Sequence, residues 1–242
     1  AALLAARGYT GPAHVMDGKE GLTEVMGPEW DLDLLTDGLG ESWRIERCGM
    51  KAFPTEALTH APISAVLDLT REHGLDADDV ERVRIRSLAR AADILADPSK
   101  YDPRSKETAD HSLPYVVAVA LVDGQVTPRQ FEPDRIADER VRAQLRKVEV
   151  TADPEIEAVF PELQRVVVAI DTADGRELVK RLDYPKGDPR NPLTDREIEE
   201  KFHALAGPVL SARRREALVE TVWGLENLER VGDLMMQTVS DT

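Results

Sequence analysis

Two prolines fix where two helices of this chain can begin. Proline locks φ and lacks an N–H, so a helix tolerates it only in the first turn, where that N–H would have no partner anyway. Pro62 follows His60 in Thr-His-Ala-Pro, ahead of the apolar positions Ile63, Val66, Leu67 and Leu69. Pro114 follows His111 in Asp-His-Ser-Leu-Pro and leads into an apolar stretch over residues 115–122. Each histidine thus stands just before a helix start, beside unpaired backbone N–H groups and the positive end of a helix dipole. Such a place binds anions and disfavours imidazolium, so the ring can act as a base. With Lys51 just upstream, the pattern predicts half of a site for a small carboxylate.

Between these starts the chain alternates helix and strand signals. A helix is predicted over 61–73, capped by Thr59 and stopped by Gly74. Alternation of Val80, Val83 and Ile85 with arginines predicts a strand over 80–86, with a poor fit at its start. Residues 41–48 suggest a short strand, and 97–105 read as a loop. Helices are predicted over 113–122, ending at Asp123-Gly124, and over 138–146. A capping box begins at Thr127. Three strands follow, over 147–151, 164–171 and 176–182, the last two forming a hairpin across Asp174-Gly175. A second capping box, Thr194-Asp-Arg-Glu197, opens a helical C-terminal part. Within it, Ser211 is a candidate cap and Gly224 a stop, and a last helix holds Leu228, Val231, Leu234 and Met235.

The predicted fold class is α+β: an α+β lid domain, residues 46–183, inserted between segments of an all-helical domain, 1–45 and 184–242. Short helices at both ends would be poor cores alone. The opening Ala-Ala-Leu-Leu-Ala-Ala-Arg-Gly8 reads as the last turns of a helix, so the sequence is expected to start inside a larger protein that carries the rest of the helical domain.

Composition removes several function classes. Lys and Arg number 31 against 46 Asp and Glu, a net charge of −15. That argues against a nucleic-acid partner or an anionic membrane surface. No apolar run nears the ~20 residues of a membrane span. The single cysteine, Cys48, allows no internal disulfide, suggests a reducing, cytoplasmic setting, and cannot ligate an iron–sulfur cluster. No zinc spacing, phosphate loop or nucleophile elbow is present, and neither a metal nor a cofactor is expected. His14, His73 and His203 join no constellation, and Arg213-Arg-Arg215 reads as a solvated helix start.

Four stretches resemble the MmgE/PrpD family. They are Lys51-Ala-Phe-Pro with the trailing His60; Ala109-Asp-His-Ser-Leu-Pro-Tyr115 followed by Ala118 and Gly124; the strand pair ending in Asp183-Tyr-Pro; and the long ordered run from Gly187 to Phe202. The resemblance spans nearly the whole chain but only the C-terminal half of a usual member. It implies a site between a helical domain and an α+β lid, with catalytic groups from both halves of the polypeptide. It also implies a homodimer, or association with the missing N-terminal half. Carried over by motif, Lys51 matches the family's lysine. Glu56 matches a position that is His in the decarboxylase branch, so Glu there resembles the dehydratase branch. His60 and His111 match recurring motif positions.

The implied activity is a lyase that removes water from a small di- or tricarboxylate such as 2-methylcitrate, within propionate metabolism. A decarboxylase or epimerase of the same family is the alternative, as is a non-catalytic subunit needing the missing half. Lys51 would hold a substrate carboxylate and stabilise the charge building on it. His60 or His111 would move a proton, and Glu56 would orient one of them or the substrate hydroxyl. Arg104 and Ser112 are further candidates for substrate binding. Tyr115 is expected in the core.

Overall fold

A bulge in one strand accounts for the imperfect alternation at its start. In the computed structural model, which describes residues 1–27 and 29–240, strand β1 (Val80–Ser87) buries Val80, then Val83, Ile85 and Ser87. The pairing register shifts between Val80 and Arg82. One extra residue moves the side-chain phase by one, so the inward set jumps from 80 to 83. Strand β2 (Val148–Ala152) runs parallel to β1, whereas β3 (Val166–Thr172) pairs with β1 antiparallel and with β4 (Glu177–Leu182) in the hairpin. The sheet order is β2-β1-β3-β4.

One face of this sheet carries the core. In β3, Val166, Val168, Ile170 and Thr172 point inward at period two. Helix α1 (His60–His73) packs against β3 and β4, helix α2 (Ala89–Leu95) against β2, and α1 also against α4 (Leu113–Asp123). Every residue of α4 from Leu113 to Leu121 is buried. A helix apolar on all sides belongs inside, and α4 fills the centre between α1, β2 and α5 (Glu139–Leu145). Tyr115 lies in this core, and its hydroxyl donates to the Gln130 carbonyl at 2.5 Å. Burial pushes its phenol well above the usual range. The outer face is charged: Arg82 pairs with Glu149, Arg84 with Asp171 and Glu177, and Arg86 with Asp153.

The stop signals at Gly74 and Gly124 sit where expected, both with positive φ as left-handed caps. The box at Thr194 opens α6 (Asp195–Ala206), followed by α7 (Ala212–Trp223) and α8 (Val231–Gln237). The box at Thr127 opens only a 3₁₀ turn, Pro128–Phe131. The loop over 97–105 contains another, Pro98–Tyr101, and a short helix α3 (Lys106–Ala109) precedes His111.

Two expectations are corrected. Residues 41–48 form no strand; Arg44–Arg47 is a 3₁₀ turn. Trp43 and Ile45 do alternate with polar neighbours, but both are exposed, so no buried face holds an extended form. Thr59 occupies the position before α1, yet its hydroxyl turns back to the Thr55 hydroxyl at 2.8 Å and the Glu56 carbonyl at 2.7 Å. A 3₁₀ turn, Ala57–Thr59, runs into α1 and moves the free N–H groups upstream, where the Glu56 carboxylate accepts from Leu58 N–H at 2.6 Å. Glu56 therefore does the capping.

The chain divides into two compact units, residues 1–47 and 48–242. The sheet and helices α1–α8 belong to the second. The first holds two short helices, Ala2–Ala5 and Leu22–Met26, besides 3₁₀ turns, and neither helix buries a residue. No helix among the described residues is long and apolar enough to cross a membrane.

Candidate functional site

The loop bearing Lys51 is held from three sides by the motifs singled out in the sequence. Met50 N–H donates to the Gly187 carbonyl at 2.8 Å, and Lys201 of α6 donates to the Lys51 carbonyl at 2.7 Å. Glu56 N–H donates to the Asp110 carbonyl at 3.2 Å. Gly187 lies at φ 93°, a left-handed conformation, and its backbone approaches Met50 so closely that a Cβ would overlap the Met50 carbonyl oxygen. The run from Gly187 to Phe202 thus acts as a clamp on Lys51, and the Asp110-His111 turn docks beside it.

These contacts create a cavity of about 360 Å³ lined by Lys51, Pro54, Thr55, Glu56, Ala57, Asp110 and His111. Its size falls in the ~300–1,000 Å³ range of small-molecule sites. The Lys51 ammonium donates to the Thr55 carbonyl at 2.8 Å, which leaves two of its three N–H donors for a ligand. Glu56 spends Oε2 on Leu58. His111 Nδ1 meets Asp110 Oδ1 at 2.6 Å, and Lys106 donates to Asp110 Oδ2 at 2.9 Å.

Sequence candidates separate clearly in space. Lys51, Glu56 and His111 share the cavity. His60 does not line it. As the first residue of α1 it is 3 % exposed, its ring tilted 56° against Phe53 with centroids 5.4 Å apart, and Nε2 donates to the Thr55 carbonyl at 3.4 Å. Its backbone N–H is already bonded to Ala57, so it has no free amide environment of the kind expected from the sequence. Burial, aided by the nearby charges of Lys51 and Lys201, lowers its pKa from 6.5 to about 4, against the opposing pull of the Thr55 carbonyl. Desolvation is the main cause, and it favours the neutral ring.

Ser112 is buried as the cap of α4, donating to Lys100 O at 2.6 Å and accepting from Tyr115 N–H at 3.1 Å. Arg104 is exposed and paired with Asp102. Neither lines the cavity. Asp110, which the sequence reading passed over, does. Its signal was an acid immediately before a histidine at a capped helix start.

A larger hollow of about 710 Å³ borders Lys51 on the side of α1 and α6. There Lys186 pairs with Glu197 at 2.9 Å and Arg71 with Asp68 at 3.7 Å, while Lys201 donates to Lys51 O. Among the described residues, no group of three or more His, Cys, Asp or Glu side chains is arranged to hold a metal ion.

The sequence is similar to known proteins over most of its length. The MmgE/PrpD C-terminal domain profile matches residues 53–225. Human cis-aconitate decarboxylase is 30% identical over 236 residues, covering 95% of this chain and 48% of that protein. The 2-methylcitrate dehydratase of Escherichia coli K12 is 24% identical over 189 residues, covering 74% and 39%. An alkylcitrate dehydratase of a fungal species is 26% identical over 175 residues, covering 66% and 34%. The chain spans about half the length of the human protein, and less of the other two.

Proposed function

The chain belongs to the MmgE/PrpD family, and on that premise we propose that it carries the lysine-bearing side of a lyase that eliminates water from a small tricarboxylate of the 2-methylcitrate type. The observation supporting this most directly is the gathering of Lys51, Glu56 and His111 around one cavity.

Eliminating water beside a carboxylate needs three things: a base for the adjacent C–H, a cation for the charge that builds on the carboxylate, and an acid for the departing hydroxyl. Lys51 binds that carboxylate and stabilises its enediolate-like state. His111 takes the C–H proton at Nε2. The C–H electron pair becomes the new double bond as the C–O bond breaks; Glu56 orients the hydroxyl, which leaves as water with the proton that His111 Nε2 has taken up. His60 stays neutral and buried, holding the Thr55 carbonyl to which Lys51 is anchored. The one cysteine of this chain is fewer thiolates than a cluster needs.

One lysine in the cavity cannot balance three carboxylates, and Glu56 and Asp110 add negative charge. The proposal therefore needs further cations beside the three carboxylates, for which Lys186, Lys201 and Arg71 line the adjoining hollow. In the same proposal, 46–183 acts as an α+β lid between the helical segments 1–45 and 184–242 of a cytoplasmic homodimer. A second reading, decarboxylation, draws support from the long match to the human decarboxylase; Glu56 is what favours dehydration.

The test is a substrate panel on a protein of the relatives' length containing this chain: 2-methylcitrate, citrate, cis-aconitate and iminodisuccinate. Water loss from 2-methylcitrate is expected. CO₂ release from cis-aconitate would transfer the assignment to the decarboxylase, and inertness toward all four would overturn the lyase reading.

A further inference from the structure

We propose that Asp110 is a positioning residue for the reaction. Its buried carboxylate holds His111 in the tautomer that leaves Nε2 free to accept a proton. The proposal rests on the lyase reading for its catalytic consequence and on geometry alone for the tautomer.

The two side chains differ sharply in exposure. His111 is 56 % exposed and Asp110 12 %, so the acid is the fixed partner and the ring the one that needs fixing. Asp110 ends α3, and the next residue but one, Ser112, caps α4 with both of its hydrogen bonds inside the protein. The backbone around His111 is therefore pinned on either side. An ionised carboxylate only accepts hydrogen bonds, so at 2.6 Å from Oδ1 the ring nitrogen Nδ1 carries the proton. A neutral imidazole with Nδ1–H has its lone pair at Nε2.

The second carboxylate oxygen is held by Lys106 at 2.9 Å. Asp110 in turn raises the Lys106 ammonium above its ordinary range, mainly through their hydrogen bond. When Nε2 takes the substrate proton, the resulting imidazolium faces the Asp110 carboxylate. Lys51 and Glu56 are the other charged groups lining the cavity. The Asp110 carbonyl, accepting from Glu56 N–H, joins the acid's loop to the one bearing Lys51. A single residue thus sets the ring by its side chain and the opposing loop by its backbone.

The test uses the protein at the relatives' length, labelled with ¹⁵N-histidine. In the parent protein the His111 signal, identified by its loss in His111→Gln, is expected to show a proton on Nδ1 and none on Nε2. Asp110→Asn presents an amide N–H and favours the opposite tautomer. It is expected to lose the Nδ1–H signature and to lower kcat at least ~100-fold, with KM changed far less. Asp110→Glu should restore part of both. Lys106→Met, which leaves the Asp110–His111 contact in place, should retain the tautomer. Circular dichroism checks that each variant is folded. A proton on Nε2 in the parent protein, or an Asp110→Asn variant with unchanged tautomer and kcat, overturns the proposal. A parent protein inert on every substrate yet showing Nδ1–H fails the lyase reading alone.

Discussion

At the scale of single residues, Lys51 and His60 both donate to the Thr55 carbonyl, one from the cavity and one from behind it. The contrast shows what sequence spacing can and cannot reveal. Lys51, Glu56 and His111 were legible because each stands in a short ordered motif. The burial of His60 was not, because it depends on the 3₁₀ turn that extends α1 backwards, and no single residue type announces that turn. Lys51→Met in the protein of the relatives' length is expected to lower kcat/KM by ~100-fold or more, the loss typical of removing one donor to developing charge. Near-normal turnover would remove Lys51 from the mechanism. His60 makes a separate prediction about stability. Its pKa is near 4 folded and 6.5 in its ordinary state, so the unfolded chain binds the proton first as pH falls. The stabilisation is fully present above about pH 6.5 and drains away down to about pH 4, a loss of order 3 kcal/mol. Denaturant titrations across that window should show His60→Gln with a flatter pH dependence than the parent; parallel curves would place the acid sensitivity elsewhere.

At the scale of elements, the run from Gly187 to Phe202 reaches the site only through its backbone and Lys201. Gly187→Ala is expected to cost of order 1–3 kcal/mol for its φ alone. The overlap with Met50 would also displace the Lys51 loop. A lowered unfolding midpoint together with weakened substrate binding is the expected pair of results, and an unchanged midpoint would contradict the clamp. Most elements could be read from the sequence because their signals are local: glycine stops at 74 and 124, the Asp174-Gly175 hairpin, the Thr194 box. The failures were of another kind. The bulge at Val80–Arg82 requires a partner strand to define it, the Arg44–Arg47 turn lacked any buried face, and short helices such as α2 and α3 are too brief for periodicity to show.

At the scale of the whole molecule, the α+β class followed from the order of strand and helix signals, and one core organises the second unit. Apolar side chains stay exposed outside it, among them Leu3, Leu4, Val222, Trp223, Met235 and Met236. They lie in the two end segments whose partners in the sequence reading were further helices. The central claim is that one tricarboxylate bridges Lys51 and His111 with Glu56 beside it. The most direct measurement is a crystal structure of the protein at the relatives' length soaked with 2-methylcitrate. Density is expected in the cavity, with a carboxylate oxygen within hydrogen-bond distance of Lys51 Nζ and a C–H directed at His111 Nε2. A ligand bound out of reach of all three side chains would contradict it.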